Sequence, residues 1–376
     1  MEDELRTKTG AVIPRLRFRP EIFLDRTTVL YGGSGSGKSV CIKNIMKTLN
    51  GHIDRILVVS PTEPANNTYK GTVDKTLIHY ELFLEDLDVK GKNKDDPIKG
   101  AIRFLDRIWK LQEMQASIYK RANDPNVLSS LFNKIPDSMQ HAAIRVMEEY
   151  TRKRDKNISR IQRQYEHEDL KRTELVKGIN ESYGAAVDRL RKKYILKCAY
   201  HLLRLNLTED QKYAIQYLEF NPRLLLILDD CASGFKQLVK NPTVRKLFYQ
   251  GRWAFLTLMI SCQDDTDLPP NLKKNAFVSI FTEPTVTSSM FNRASISASK
   301  EHRSLVNNNV GEIFVNHRKF AYIREDPSKQ HFYVINETPA KPFRFGSQAL
   351  HDLCDMLRCE ETRMDEKNPY YKKFKI

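Results

Sequence analysis

The sequence holds no C-x-x-C pair: its six cysteines, Cys41, Cys198, Cys231, Cys262, Cys354 and Cys359, are scattered, and two of them fall inside apolar segments. That distribution argues against a disulfide framework and suits a reducing compartment, and Cys354 with Cys359 lacks the second pair or nearby histidine cluster that would support a zinc site. Long apolar runs are missing too. The longest, Leu224–Leu228, is strand-sized, whereas a membrane helix needs ~18 apolar residues. The first residues, MEDELRTKTG, are polar and acidic, which is not the pattern of a secretory signal. Internal repeats and low-complexity tracts are also lacking. These absences lead us to expect a soluble protein that stays in the compartment where it is made. Its length of 376 residues allows two or three domains, and a 40 % apolar share allows a substantial core. The charge is the compositional bias that stands out: a net +15 favours a polyanionic partner.

Glycine is concentrated in one place. The stretch GGSGSGKS, Gly32–Ser39, follows a β-branched and aromatic run, Thr27–Tyr31, and precedes Val40, Ile42, Ile45, Met46 and Leu49 at helical spacing. Strand, glycine loop, helix is the context that a phosphate-binding loop requires. Several backbone N–H groups must converge on one phosphate, and a Cβ at those positions would obstruct the turn. The helix start adds its positive dipole end. Gly32, Gly33, Ser34, Gly35, Ser36, Gly37, Lys38, Ser39 and Val40 are therefore the expected nucleotide-binding residues. Lys38 would reach the β- and γ-phosphates, and the Ser39 hydroxyl would hold Mg²⁺.

A second half of such a site is visible in NPRLLLILDDCASG, Asn221–Gly234. Leu224–Leu228 is the continuous apolar run of a strand covered on both faces, and it ends in Asp229 and Asp230. The first acid at such a tip anchors Mg²⁺ and the second can orient or accept a proton from water. We assign Asp229 to the metal and Asp230 to water activation, at the tip of a strand expected to neighbour the glycine loop. Ala254–Ser261 reads as another buried strand, ending at Gln263, which can hydrogen-bond both a water and a γ-phosphate. Arg252 precedes that strand, at its far end, where it could face the nucleotide of a neighbouring subunit; Arg245 and Arg293 are rivals for that role, and a solvated loop arginine is the plain alternative.

Together, GGSGSGKS (Gly32–Ser39), VVSPTEPANNTYKG at the second strand, LLLILDD (Leu224–Asp230), FLTLMISCQ (Phe255–Gln263) and DLPPNLKKNA (Asp267–Ala276) resemble the DNA-packaging ATPases of nucleocytoplasmic large DNA viruses, within the FtsK–HerA superfamily. The resemblance spans roughly residues 20–80 and 220–300. It implies an α/β P-loop core with a mainly parallel sheet, ATP and Mg²⁺ as ligands, and a homo-oligomeric ring that drives double-stranded DNA into a preformed capsid. It also implies Arg252 as the arginine supplied in trans, capsid or portal proteins as partners, and the host cytoplasm and virion as location.

The order of segments is then residues 1–85 (glycine loop), a basic helical insertion at 86–215, a second core segment at 216–300, and a C-terminal β-hairpin and helix at 301–376. The insertion departs from the family pattern. It opens on GKNKDDP, where Asn93–Asp96 spells an accidental N-K-x-D. Phe104, Ile108, Leu111, Gln115 and Ile118 mark one helical face, and steps of three and four from Leu175 carry a second helix to Leu205, weakened at Gly178 and Gly184. Arg145, Arg152, Lys153, Arg154, Lys156, Arg160, Arg163, Arg189, Arg191, Lys192 and Lys193 decorate the other faces. They could meet DNA phosphates or form helix-surface ion pairs. Beyond residue 300, Ile313–Val315 and Phe320–Ile323 suggest a hairpin, Phe332–Ile335 a further strand and Gly346–Arg358 a helix. The bend His317-Arg318-Lys319 and the tail EKNPYYKKFKI could touch nucleic acid, or be a solvated turn and a frayed end. Two other functions fit the motifs: a P-loop small-molecule or nucleoside kinase, and a nucleotide-binding capsid assembly protein without motor activity.

Overall fold

A computed structural model describes residues 4–80, 97–231, 238, 241–293, 298–325 and 330–363. The charged connection 86–96 with its N-K-x-D, the Ala232–Gly234 end of the acidic segment, the Cys359 side chain and the tail from Glu366 lie outside the described residues. The chain divides into two compact units, one formed by Met1–Met114 with Pro222–Ile376 and the other by Gln115–Asn221.

The larger unit is built on an eight-stranded sheet. Its strands are β3 (Thr27–Tyr31), β4 (Arg55–Val59), β5 (Ile78–His79), β6 (Leu224–Leu228), β7 (Leu256–Cys262), β8 (Val278–Phe281), β9 (Lys319–Arg324) and β10 (Gln330–Ile335), while β1 (Glu4–Arg6) and β2 (Val12–Pro14) form a separate antiparallel pair. The spatial order is β10-β9-β8-β3-β7-β6-β4-β5, parallel from β5 through β8 and antiparallel at β9 and β10. All residues of β3, β6 and β7 are buried, as the unbroken apolar runs require of strands covered on both faces. Side chains alternate between those faces: Val29, Tyr31, Leu226 and Leu258 join one core, and Leu30, Leu225, Ile227 and Met259 the other. Helix Lys38–Leu49 packs Ile42, Ile45, Met46 and Leu49 into the second core; Trp109 and the helix Pro242–Gln250, through Leu247, fill the first.

Topology corrects one expectation. The acid-bearing β6 does not adjoin the glycine-loop strand β3; β7 runs between them and pairs with both. Residues 301–376, expected as an extension, contribute β9 and β10 to the same sheet. Ile313–Val315 is no strand. Val306, Asn309 and Ile313 are buried at helical spacing, so the segment ends the helix Lys300–Ile313, and the hairpin is instead β9–β10.

In helix Pro97–Ala122 the buried face is Ala101, Leu105, Trp109, Gln112 and Ala116, and Leu111, expected to face inward, is 48 % exposed. Gln112 explains the shift: its Nε2 donates to Ala254 O and Pro222 O, both at 2.6 Å, so a polar residue occupies the inner face and serves two strand-end carbonyls. The second unit is helical. Asp137–Gln164 and Asp169–Lys197 form an antiparallel hairpin, with Ala143 near the start of one and Ile195 near the end of the other sharing a core with Leu131, Leu202 and Ala214. The second helix stops at Lys197 rather than Leu205 because the chain kinks at Cys198 (φ −101°, ψ 9°) into a single turn, Ala199–Leu202. Of the basic residues on this hairpin, Arg152, Arg154 and Arg191 pair with Glu148, Asp155 and Asp188, while Arg145, Arg160, Arg163 and Arg189 are exposed.

Gln112→Leu keeps the shape but leaves the Ala254 carbonyl buried without its donor. We expect a loss of about 1–3 kcal/mol, read as a lowered midpoint in denaturant melts with unchanged slope.

Candidate functional site

The glycine loop leaves β3 at Tyr31. Gly32 (φ 153°), Gly35 (φ 76°) and Gly37 (φ 92°) all take positive φ, which residues with a Cβ rarely adopt. At Gly32 the demand is steric as well: a Cβ there would lie 1.9 Å from Thr282 Oγ1 and 2.7 Å from Ser36 Oγ. Thr282 stands at the tip of β8, with its hydroxyl 3.0 Å from Tyr31 O and 2.6 Å from Ser36 Oγ, and Ser36 Oγ is 2.8 Å from Gly33 O. The loop is thus braced from the neighbouring strand. Gly37 is the left-handed cap of helix Lys38–Leu49, whose first N–H groups have no intrahelical partners and are available to an anion. Lys38 is buried and its Nζ donates to Gly32 O (2.6 Å) and Gly33 O (2.8 Å), so the ammonium is held against the start of its own loop. Ser39 and Val40 follow in the first helical turn, half-buried.

Across β7, the acids sit at the tip of β6. Asp229 is 4 % exposed; one oxygen accepts from Tyr69 Oη at 2.8 Å and the other from the Ser261 hydroxyl on β7. Burial raises the Asp229 carboxyl above its ordinary range, against the opposing effects of the Ser261 and Tyr69 hydrogen bonds and the charge of Lys38. Lys38 and Asp229 therefore share one electrostatic neighbourhood. Tyr69 is pushed well above the usual phenol range, first by burial and then by Asp229. Asp230 takes φ 54°, a left-handed conformation that aspartate tolerates better than most and that clusters at functional sites. Its N–H donates to Ser261 Oγ (3.0 Å) and its Oδ2 accepts from Thr62 Oγ1 (3.3 Å), but Oδ1 is buried without a hydrogen-bond partner among the described residues. A buried carboxylate oxygen in that state lacks the donor or cation that normally accompanies it.

Register places the remaining residues. Tyr31 is level with Cys262, and Leu228 with Ile260, so Gln263 emerges at the same end as Gly32 and Asp230. It is exposed, and its N–H is fixed by Asp267 Oδ2 at 2.9 Å. Arg252 lies in the turn Gly251–Ala254 before β7, exposed, where its charge acts on Asp25 and Arg26 ahead of β3. It is at the opposite end of the sheet from its own glycine loop. Of its rivals, Arg293 is engaged within the chain, 3.2 Å from the buried carboxylate of Asp265, and Arg245 is exposed on helix Pro242–Gln250.

Sequence reasoning missed Tyr69, Ser261 and Thr282, and it noted Lys319 only as part of the bend His317-Arg318-Lys319. Ser261 and Tyr69 carried a signal: a hydroxyl at the end of the apolar run LMI before Cys262, and a tyrosine within the stretch VVSPTEPANNTYKG. Thr282 carried none, because its role comes from β8 lying beside β3, and the bend that holds Lys319 gave no sign that β9, paired to β8, would send it to the glycine loop.

No protein-family model matches the chain. Protein B354L of African swine fever virus is 43 % identical over 372 residues, covering 99 % of each chain. The chain belongs to the B354L family. Protein 075L of Invertebrate iridescent virus 6 is 38 % identical over 65 residues, 17 % of this chain and 25 % of that one. Among solved structures, the genome packaging NTPase B204 of Sulfolobus turreted icosahedral virus 2, in complex with ATP-gammaS, is similar at a TM-score of 0.37 and 14 % identity, covering 84 % of this chain and 98 % of that one. The pCW3 conjugation coupling protein TcpA is similar at 0.37 and 11 %, covering 94 % and 70 %.

Two outcomes follow from this geometry. Gly32→Ala must displace Thr282 or the loop, and we expect it to abolish binding of a fluorescent ATP analogue while the melting temperature falls only modestly. Asp229 has a raised folded pKa, so stability is lost as pH rises from the ordinary carboxylate value through the raised one. Asp229→Asn should remove that slope and melt higher than the wild type at neutral pH, as measured by thermal scans across a pH series.

Proposed function

We propose that this chain is an ATP-hydrolysing motor of the FtsK–HerA type that moves double-stranded DNA into a viral capsid. The observation that carries this reading is the convergence, across β7, of a glycine loop whose lysine is folded onto Gly32 O and Gly33 O with the buried Asp229 and its half-buried neighbour Asp230. Membership in a viral family and a net charge of +15 support a polyanionic cargo.

Mg²⁺ fits the residues present. The donors are hard oxygens of the type it takes, and a buried carboxylate oxygen of Asp230 lacks a partner beside an Asp229 whose ionised form is disfavoured by burial. Ser39 and Asp229 would hold the ion, which would neutralise phosphate charge when bound. The glycine-loop amides bind the phosphates, and Lys38 moves its donors from the loop carbonyls to the β- and γ-oxygens. Asp230 accepts a hydrogen bond from the attacking water, and Gln263 orients that water at the γ-phosphate. Tyr69 and Ser261 hold Asp229 in a single orientation. Arg252 lies too far from its own loop to act on it, so in a ring it would serve the next subunit's nucleotide and make hydrolysis depend on how subunits contact one another.

The deciding experiment is ATP turnover with and without long double-stranded DNA over a salt series. We expect stimulation by DNA that fades as salt rises. Turnover indifferent to DNA would favour a kinase-like activity, and bound ATP without turnover an assembly protein. Arg252→Ala should assemble yet lose about 10³ in rate, and mixing it with Asp230→Asn subunits should restore part of the turnover. Mixed rings as inactive as either parent would remove the trans assignment.

A further inference from the structure

The turn before β9 contains two successive left-handed residues, Asn316 (φ 58°, ψ 40°) and His317 (φ 58°). Such a conformation is costly for non-glycine residues and persists only where the surroundings impose it. Its effect is to send neighbouring cations to different destinations. Arg318 folds back on helix Lys300–Ile313, donating from Nη2 to Glu312 O (2.6 Å) and from Nε to Ile313 O (3.3 Å), where it caps the last carbonyls. Lys319 reaches the opposite way, across the tip of β8, onto the glycine loop. Its Nζ donates to Ser36 O at 3.2 Å, with His317 O at 3.5 Å, and a Cβ added to Gly37 would lie 2.8 Å from Nζ and 3.0 Å from Cε. No carboxylate pairs with this ammonium among the described residues. The bend His317-Arg318-Lys319 is therefore more than a plain solvated turn, since two of its side chains are held by backbone carbonyls.

We propose that Lys319 is a second cation of the nucleotide site, supplied in cis by β9, whose charge adds to that of Lys38 in holding the polyphosphate. This rests on the glycine-loop reading above. A half-buried ammonium held by carbonyls alone stands beside a loop shaped for several negative charges, and at this range an unscreened charge contributes substantially. The end of the Lys319 side chain lies directly against Gly37, whose φ of 92° already calls for glycine. A triphosphate carries more charge than a diphosphate, so the contribution is larger for the triphosphate. It also makes the strained turn at Asn316–His317 part of the site, since any change there moves Lys319 relative to the loop.

The test compares the affinity of fluorescent mant-ATP and mant-ADP for the wild type, Lys319→Gln, Lys319→Thr and Lys319→Arg, with melting temperature as the control for folding. Glutamine keeps a donor for Ser36 O but no charge, threonine is a neutral residue suited to a strand end, and arginine keeps the charge. We expect both neutral variants to lose roughly tenfold or more in mant-ATP affinity, to lose less for mant-ADP, and Lys319→Arg to stay within about threefold of the wild type. Neutral variants that bind mant-ATP as the wild type does, or glutamine and arginine variants that bind alike, would overturn the proposal. Lys38→Ala in the same titration separates the two levels: its loss of binding beside an unaffected Lys319→Gln condemns Lys319 alone, and retention of binding in both condemns the site.

Discussion

The rest of the site depends on one constraint: Asp229 is a carboxylate at the end of a fully buried strand, 4 % exposed, and burial disfavours its charge. Such a group is tolerated when it is hydrogen-bonded and faces a cation. The hydrogen bonds come from Tyr69 and Ser261, on either side of β6. Tyr69 follows β4 and Ser261 lies on β7, so the acid can be held only where those strands are in register with β6. The charge of Lys38 favours the ionised form of Asp229 in part. Fold and site are in this sense one arrangement, because the sheet register that buries the leucines of β6 also delivers the two hydroxyls.

The position of β7 has a mechanical consequence. It separates the glycine loop from the acids and carries Ser261 and Gln263 at its tip, and its other end begins just after Arg252. On the proposed reading, one fully buried strand links the nucleotide end of the sheet to the end that carries Arg252. Thr282 and Lys319 do the same from the other flank, tying β8 and β9 to the loop. A rearrangement of loop contacts when phosphate arrives would be felt along strands buried over their whole length, which move as units because close-packed interiors transmit displacement.

What the sequence made legible was local. Gly32–Ser39 with its flanks announced the loop, because glycine at positive φ and an amphipathic helix leave marks in adjacent residues. Leu224–Asp230 announced the second half for the same reason, and Gln263 and Arg252 fell at the two ends of β7 because a buried strand has a readable length. What was not legible depended on lateral order. Nothing in the residues says that β7 separates β3 from β6, or that β9 returns antiparallel beside β8, so the contributions of Ser261 and Thr282, and the destination of Lys319, stayed hidden. The helix Pro97–Ala122 misled by one position because its inner face includes Gln112, a polar residue that periodicity assigns to solvent. Ile313–Val315 misled because a short apolar run has no period of its own until Val306 and Asn309 are seen to share its face.

The central claim is that the buried acid awaits a metal-bound nucleotide. It is tested most directly by the thermal stability of the wild type and Asp229→Asn with a non-hydrolysable ATP analogue, with and without Mg²⁺. The account predicts that Mg²⁺ adds a clear upward shift for the wild type beyond the analogue alone, and that this increment vanishes in Asp229→Asn. A wild type whose melting is the same with and without Mg²⁺, or a variant that keeps the full increment, would contradict it.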